Sequence, residues 1–253
     1  MTPLTLSDLV ALVIVVLAAL ALLVNLVIQR KRTSSGFKIV PAITAIPAFQ
    51  HEAAEKGKRL TFGLGDGFSN RSVSLSSLVG LSVWHDTAAR AVFNDQPTQA
   101  VSGNGALTMI SQMVLRGVYQ DAVAVELFKP EQVLLGGVSE AASVAGLLPE
   151  VNQADNSAVA MIGSFTPLAG LAVNLAASKH LPTVAMADTL SAQATFYITT
   201  PLATLGEDFY GAELSLSRQP GASAQLRAQD WLRAAAIIAL LIGALLKLTG
   251  VMP

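Results

Sequence analysis

The sequence predicts a three-layer α/β domain, with a mostly parallel sheet and helices on both faces, flanked by a transmembrane helix at each terminus. Three observations support this prediction. The 253-residue chain is 52% hydrophobic and only 13% charged, against about 25% charged in an ordinary soluble domain. The apolar excess is concentrated at the two ends of the chain. Between them, short β-rich runs alternate with longer helical stretches, which is typical of βαβ units.

The first predicted element is a membrane helix over residues 9–28. This stretch carries no charge and only one polar side chain, Asn25, and a helix of this length spans about 30 Å, the thickness of the hydrocarbon core of a bilayer. Basic residues follow at 30–32, so the positive-inside rule places the next part of the chain in the cytoplasm. The n-region and cleavage site of a signal peptide are missing. Residues 1–29 are therefore interpreted as an uncleaved anchor.

The last predicted element is a second membrane helix over residues 231–253. Its uncharged core, 234–246, is short for a span, and we expect Arg233 and Lys247 at its ends to extend toward the headgroups. A helix that lies in the membrane interface is the alternative. Two spans would place both termini outside the cytoplasm and leave residues 30–230 as a cytoplasmic domain.

Small residues recur along one face of this second helix. Ala235, Ala239 and Gly243 are spaced four residues apart. Such a stripe allows two membrane helices to approach closely, although it also arises by chance in alanine-rich helices. We expect these residues to contribute to helix packing within the membrane.

The middle of the chain alternates between strand and helix patterns. The predicted strands cover residues 60–62, 98–101, 132–135, 158–162, 182–187 and 196–199. The predicted helices cover residues 75–92, 106–118, 140–147, 168–177 and 202–216. The strand runs are mostly apolar on both faces, as a sheet that is covered on both sides requires. We therefore expect a Rossmann-like arrangement.

Composition and missing motifs exclude several classes of function. Because the chain contains no cysteine, disulfides, thiolate metal sites and thiol catalysis are excluded. The net charge of −1 gives no reason to expect nucleic-acid binding. The sequence lacks the GxxxxGK[ST], HExxH and GxSxG motifs. We expect no cofactor and no bound metal.

Candidate ligand-binding residues lie in glycine-rich loops after the predicted strands. They are Asp66, Asn104, Ser164 and Asp188. Ligands of open α/β sheets bind beyond the carboxyl ends of the strands, where backbone N–H groups at helix N-termini can hold an anion. The glycines do not have the spacing of a dinucleotide fingerprint, so the signal is not specific.

A structural role is the alternative for the same loops. Their glycines would form tight turns between strands and helices, while Ser139, Thr166 and Thr189 would cap the helices that follow. Pro167 directly after Thr166 fits this interpretation, because proline favours the first position of a helix.

The densest acidic cluster surrounds Glu207 and Asp208. Glu207 is a fifth candidate, because neighbouring carboxylates could bind a divalent cation or act as acid and base. Successive helical residues point about 100° apart, however, so these two side chains do not converge by themselves. Pairing with Arg218 or Arg227, or simple solvation, is the alternative.

The three histidines give no metal-binding pattern. His51, His85 and His180 are all far apart in the sequence, and a metal site built from them would need distant convergence. We expect them to be solvated or structural, with His51 in a charged helix.

Four segments of the chain are similar to the motifs of a known family. Residues 51–65 have the pattern of an acidic helix end followed by a strand and a glycine turn, and residues 160–165 that of a central strand. Residues 204–214 are similar to a Leu-x-Gly-Glu-Glu helix, and residues 228–231 contain a Gln-Asp pair before the last apolar segment. On these motifs the chain resembles a membrane-anchored bacterial and archaeal family of unknown function, found in Chloroflexi-like genomes. Asp208 stands where the family pattern has a second glutamate. The resemblance implies the layout of anchor, domain and anchor, but no activity.

Two functions remain open. The first is a structural or scaffolding protein of the cell membrane whose cytoplasmic domain self-associates, with further copies or other membrane proteins as partners. The second is a small-ligand- or nucleotide-binding module, or a hydrolase, that uses the carboxyl ends of the strands. Two anchors, small-residue helix faces and the lack of a complete catalytic motif favour the first function.

Overall fold

A computed structural model describes residues 40–66, 74–211, 230–234, 236 and 237, with the side chain of Asp66 outside the described part. The chain divides into two compact units, one formed by residues 39–216 and one by residues 1–38 together with 217–253. In the second unit, the described residues from position 230 onward are helical and exposed. The first unit is the α/β domain.

Six strands and six α-helices of the α/β domain are described. The strands are β1 (Arg59–Asp66), β2 (Gln99–Ser102), β3 (Val133–Leu135), β4 (Asn156–Ser164), β5 (Thr183–Ala187) and β6 (Leu202–Thr204). The helices are α1 (Pro41–Glu55), α2 (Leu75–Ala91), α3 (Gly105–Asp121), α4 (Glu140–Asn152), α5 (Gly170–Ser178) and α6 (Leu190–Thr199). Short 3-10 turns lie at Val125–Leu127, Pro130–Gln132, Pro167–Ala169 and Gly206–Gly211.

The strands form one parallel sheet in the order β3-β2-β1-β4-β5-β6. This is the strand order of the doubly wound Rossmann arrangement, in which the chain starts at the centre and builds outward in both directions. The parallel sheet with a helix after each of the first five strands confirms the predicted α/β class.

Helices cover both faces of the sheet. On one face, the even-numbered residues of β1, β4 and β5 pack with α1, α2 and α3 in a buried cluster that includes Phe62 and Trp84, whose ring centroids are 5.7 Å apart. On the other face, odd-numbered residues such as Met161 pack with α4, α5 and α6. Burial of both strand parities explains why the strands are apolar throughout.

The last strand and the last helix predicted within the α/β domain were wrong. Residues 196–199, predicted as a strand from their β-branched and aromatic side chains, form the end of α6, because Ala192 and Phe196 are buried on one helical face four residues apart. The predicted helix 202–216 begins instead with β6, which pairs with β5. Gly206 then has a φ of +64°, which is incompatible with a continuing right-handed helix. Tertiary pairing overrides local propensity here.

The predicted membrane helices are not among the described elements. Within the described ranges, no helix combines the length and the apolar character needed to cross a bilayer. The segment 9–28, and all of 231–253 except residues 231–234, 236 and 237, lie outside the described residues. This includes Ala235, Ala239 and Gly243.

Helix α2 lies unusually close to the centre of the sheet. At Gly80, a Cβ atom would stand 2.6 Å from the carbonyl oxygen of Ile162 in β4, well inside van der Waals contact. Glycine at this position therefore allows the helix backbone to rest on the strand backbone. By contrast, Gly117 on the neighbouring helix α3 has open space where its Cβ would be.

These two glycines give a matched pair of substitutions. We expect Gly80→Ala to lower the free energy of unfolding by about 1–3 kcal/mol, because the added methyl group forces α2 off the sheet. Gly117→Ala should instead raise it by up to about 1 kcal/mol, because alanine favours the helix and meets nothing. Denaturant unfolding of the full chain in mild detergent measures both values, and equal effects of the two variants would contradict the close approach.

Candidate functional site

The candidate site lies where β1 and β4 end side by side. The chain winds from β1 toward β3 in one direction and from β4 toward β6 in the other. In open α/β sheets the connecting loops diverge at such a switch point, and the crevice beyond the carboxyl ends is the usual ligand site.

Three of the five candidate residues come together at this point. In the strand register, Asp66 at the end of β1 is paired with Ser164 at the end of β4. Gly163 is paired with Ala187, so Asp188, the next residue, lies beside Ser164. Ser164 is buried, and among the described residues no partner hydrogen-bonds to its hydroxyl group.

Asp188 connects the end of β5 to the start of α2. Its Oδ2 accepts a hydrogen bond from the hydroxyl of Ser76. Its Oδ1 is shielded from solvent and has no hydrogen-bond partner among the described residues. An unpaired buried carboxylate oxygen is costly, and such groups call for a specific explanation.

A group of serines at the start of α2 completes this arrangement. Ser74 caps the helix by accepting from the backbone N–H of Ser77 at 3.2 Å, and the Ser77 hydroxyl donates to the carbonyl oxygen of Gly65 at 2.7 Å. Together with Ser76, these side chains connect α2 to the ends of β1 and β5. Ser76 is not among the five candidates predicted from sequence. The run Ser74-x-Ser76-Ser77 after a strand and a glycine-rich loop was the available signal.

Asn104 and Glu207 are not part of this group. Asn104 follows β2, and its Oδ1 caps α3 by accepting from the N–H groups of Ala106 at 2.8 Å and Leu107 at 3.3 Å. Glu207 is exposed in the 3-10 turn that follows β6 at the far edge of the sheet. Each of the two therefore lies at least one strand away from the central three residues.

The glycines at the switch point pack backbone against backbone. Gly163 has a φ of +143°, a conformation that side chains with a Cβ atom rarely adopt. A Cβ atom there would stand 2.3 Å from the carbonyl oxygen of Gly65. These two glycines serve close packing between β1 and β4 within the sheet, whereas the structural alternative expected tight turns after the strands.

Two of the three predicted helix caps are present. Ser139 and Thr189 accept from the backbone N–H groups of Ala142 and Ala192, each at 3.3 Å. Thr166 makes no capping hydrogen bond, because its hydroxyl donates to the carboxylate of Glu140 instead.

The Glu140–Thr166 pair borders a small cavity between α4 and the sheet. The cavity has a volume of about 20 Å³ and is otherwise lined mainly by apolar side chains such as Val144, Leu147 and Phe165. This volume is enough for about one water molecule, so the cavity is too small for an organic ligand.

Two of the three histidines lie beside a carboxylate. His51 lies 3.4 Å from Glu55 on the exposed side of α1, and His85 lies 3.0 Å from Asp86. His180 ends a turn with a φ of +56°. Within the described ranges, no three histidine, aspartate or glutamate side chains are close enough to share a metal ion.

The capping role of Asn104 is directly testable. We expect Asn104→Ala to lower the free energy of unfolding by about 1 kcal/mol, because two N–H groups at the start of α3 lose their acceptor. Asn104→Ser should recover most of this loss, because serine is also a good N-cap residue. Denaturant unfolding compares the variants, and a neutral Asn104→Ala would contradict the structural role.

Comparison with known proteins identifies a family but no activity. No curated protein and no solved structure matches the chain significantly. A family model described as "Domain of unknown function (DUF6754)" matches residues 4–252, which confirms the resemblance to an uncharacterised family. Because the match spans nearly the whole sequence, the chain belongs to the DUF6754 family.

Proposed function

We propose that this protein is a membrane-anchored scaffold, or a subunit of a larger membrane complex, whose cytoplasmic α/β domain self-associates. The membrane part rests on the sequence: the uncharged segment 9–28, the basic residues at 30–32 and the apolar C-terminal segment 231–253. The lipid bilayer and further copies of the chain are the partners.

Self-association is supported by apolar side chains on the two outer helices. Met109 and Met113 lie one helical turn apart on α3, and Met113 is 73% exposed. Tyr197 and Ile198 are exposed on α6, where Ile198 reaches 85%. Exposed apolar groups of this size mark interaction surfaces when they cluster, and methionine adapts well to a partner surface. This is the observation that carries the proposal.

The short edge strands indicate that two copies of the chain meet through their helices and not through their sheet edges. The two edge strands, β3 and β6, have three residues each, and such short edges are poor templates for pairing with another sheet. Helix α3 packs beside β3, and α6 packs beside β6. A second copy would therefore meet the helices at the flanks of the sheet.

A single added carboxylate tests this surface. We expect the full chain in gentle detergent to form a defined oligomer, and Met113→Asp to shift it toward the monomer mass, because a charge in an apolar contact is not solvated. Gln120→Asp places the same charge on another exposed position of α3 and should leave the oligomer intact. Mass photometry or light scattering reports the masses, and a monomer for the unmodified chain would refute self-association.

Membrane anchoring and orientation have a separate test. The full chain should stay in the membrane fraction after alkaline carbonate extraction, because two apolar segments hold it in the bilayer. Protease added outside intact spheroplasts should spare residues 30–230, whereas protease added to inverted vesicles should digest them. Extraction by carbonate would contradict the anchors, and digestion from outside would contradict the orientation.

A ligand-binding module at the switch point is the second candidate function. It is favoured by Oδ1 of Asp188, which has no hydrogen-bond partner among the described residues, and by Ser164 at the end of the neighbouring strand. A free acceptor of this kind suits a small molecule with hydroxyl or amine donors, such as a nucleoside. A nucleotide or a hydrolysable substrate would bring such donors. The same site could also serve a scaffold that responds to a small ligand.

Thermal-shift screening decides whether this second function exists. A panel of nucleosides, nucleotides and small metabolites should contain a compound that raises the melting temperature of the full chain, since binding to the native state stabilises it. Asp66→Ala or Asp188→Ala should abolish the shift, and Glu207→Ala should reduce it only if that carboxylate also contacts the ligand. A shift that survives both aspartate variants would remove these residues from the site.

A further inference from the structure

A polar cleft separates the carboxyl-terminal half of α1 from the end of α2. Its volume is about 180 Å³, which is similar to that of an engineered cavity of about 150 Å³ that binds benzene. The space therefore suits a small molecule. We call it the α1–α2 cleft; it is lined by Pro47, Gln50, His51, Ala54, Arg90 and Asn94.

The α1–α2 cleft lies at the end of the sheet where the parallel strands begin. Gln50, which lines it, is buried, and its side-chain amide donates to the backbone oxygen of Thr87 at 2.7 Å and to the hydroxyl of Thr98 at 3.4 Å. Thr98 directly precedes β2. Because the switch point lies at the carboxyl ends of the strands, the cleft is a separate place in the domain.

A narrow crevice extends the cleft toward the start of β1. Gln50 and Asn94 line both parts, and the crevice adds the side chains of Lys58, Arg59 and Gln96. The two parts together therefore present side chains from α1, from the start of β1 and from the connection between α2 and β2.

The lining of these two parts contains bases but no acids. Among the described residues that line either part, there is no aspartate or glutamate, and the basic side chains are His51, Lys58, Arg59 and Arg90. Two of these four contact carboxylates outside the lining: His51 lies 3.4 Å from Glu55, and Arg59 lies 3.0 Å from Glu150. These two side chains are therefore already used within the domain.

Lys58 and Arg90 are not paired in this way. Within residues 40–66 and 74–211, no ion pair or hydrogen bond involves the ammonium group of Lys58 or the guanidinium group of Arg90. The side-chain amides of Asn94 and Gln96 also lack a hydrogen-bond partner there. Oε1 of Gln50 is shielded from solvent, so a molecule in the cleft does not meet this acceptor. The cleft and its crevice therefore offer two unpaired cations and two amide groups.

We propose that the α1–α2 cleft binds the phosphate group of a small phosphate monoester. Arginine binds phosphate oxygens through two parallel N–H groups, and lysine binds them as a point charge. The donors here come from separate elements, Arg90 from the end of α2 and Lys58 from the residue before β1. A tetrahedral phosphate accepts hydrogen bonds from several directions, so it suits this arrangement better than a planar carboxylate. The inference does not depend on membrane anchoring or on self-association.

A purely structural role for Arg90 makes a different prediction. Arg90 lies in the last turn of α2, where a positive charge offsets the partial negative charge of the helix end. If Arg90 served only the helix, Arg90→Gln would lower the melting temperature and leave the affinity for phosphate unchanged. A direct measurement of binding therefore separates the two roles.

Equilibrium dialysis of the full chain in mild detergent against radiolabelled inorganic phosphate measures this binding. We expect saturable binding at millimolar phosphate, displacement by glycerol phosphate, and weaker binding as potassium chloride is raised, because salt screens exposed charges. Arg90→Gln and Lys58→Gln should each weaken the affinity about tenfold, because each removes a charge-assisted hydrogen bond. Arg116→Gln and Lys129→Gln remove the same charges at exposed positions that do not line the cleft or the crevice and should leave the affinity unchanged.

Three results would overturn the proposal. If phosphate does not bind in a saturable way, the cleft is not a phosphate site. Equal losses of affinity in all four variants would mean that phosphate responds only to the net charge of the protein. Unchanged affinity in both Arg90→Gln and Lys58→Gln would place bound phosphate elsewhere and leave Arg90 with the helix end alone. Cooperative thermal unfolding of each variant verifies that it is folded.

Discussion

The close approach of backbones at the centre of the sheet is the constraint on which the domain depends. β1 and β4 are the longest strands and pair along their whole length. At their ends Gly163 leaves no room for a Cβ atom against Gly65, and at Gly80 the backbone of α2 rests on β4. Three glycines thus bring two strands and a helix to distances that no other residue permits, and the remaining strands are added outward from this centre.

This packing also decides what the switch point can hold. At the switch point, α2 packs closely on β4, and its first serines hydrogen-bond to the ends of β1 and β5. Asp188 thereby connects the helix to the sheet through Oδ2, and its Oδ1 has no hydrogen-bond partner in the part of the chain that the structure describes. The same carboxylate can stabilise the fold through its Oδ2 and accept a hydrogen bond from a ligand at its Oδ1.

Charged side chains are distributed unevenly between the two ends of the sheet. The described lysines and arginines of the domain lie toward the end where the strands begin, together with carboxylates such as Asp121. Arg59 there pairs with Glu150 at 3.0 Å and with Asp155 at 3.4 Å. The loops after β3 and β5 end in residues that cap the helices that follow.

The sequence by itself determined the class of the fold and most of its elements, because apolar strands, capped helices and glycine turns are local signals that follow backbone sterics and hydrogen bonding. The first five strands and the helices between them were predictable in this way, and so was the resemblance to a family of unknown function. The tertiary structure alone decided the strand order, since pairing between β1 and β4 joins residues about a hundred positions apart. It also decided the states of residues 196–199 and 202–204, where burial and pairing with β5 overrode propensity. For the same reason it alone placed Asp66, Ser164 and Asp188 side by side, because contacts between distant segments leave no mark on local sequence. The cap at Asn104, by contrast, is a local contact of the kind that sequence can indicate.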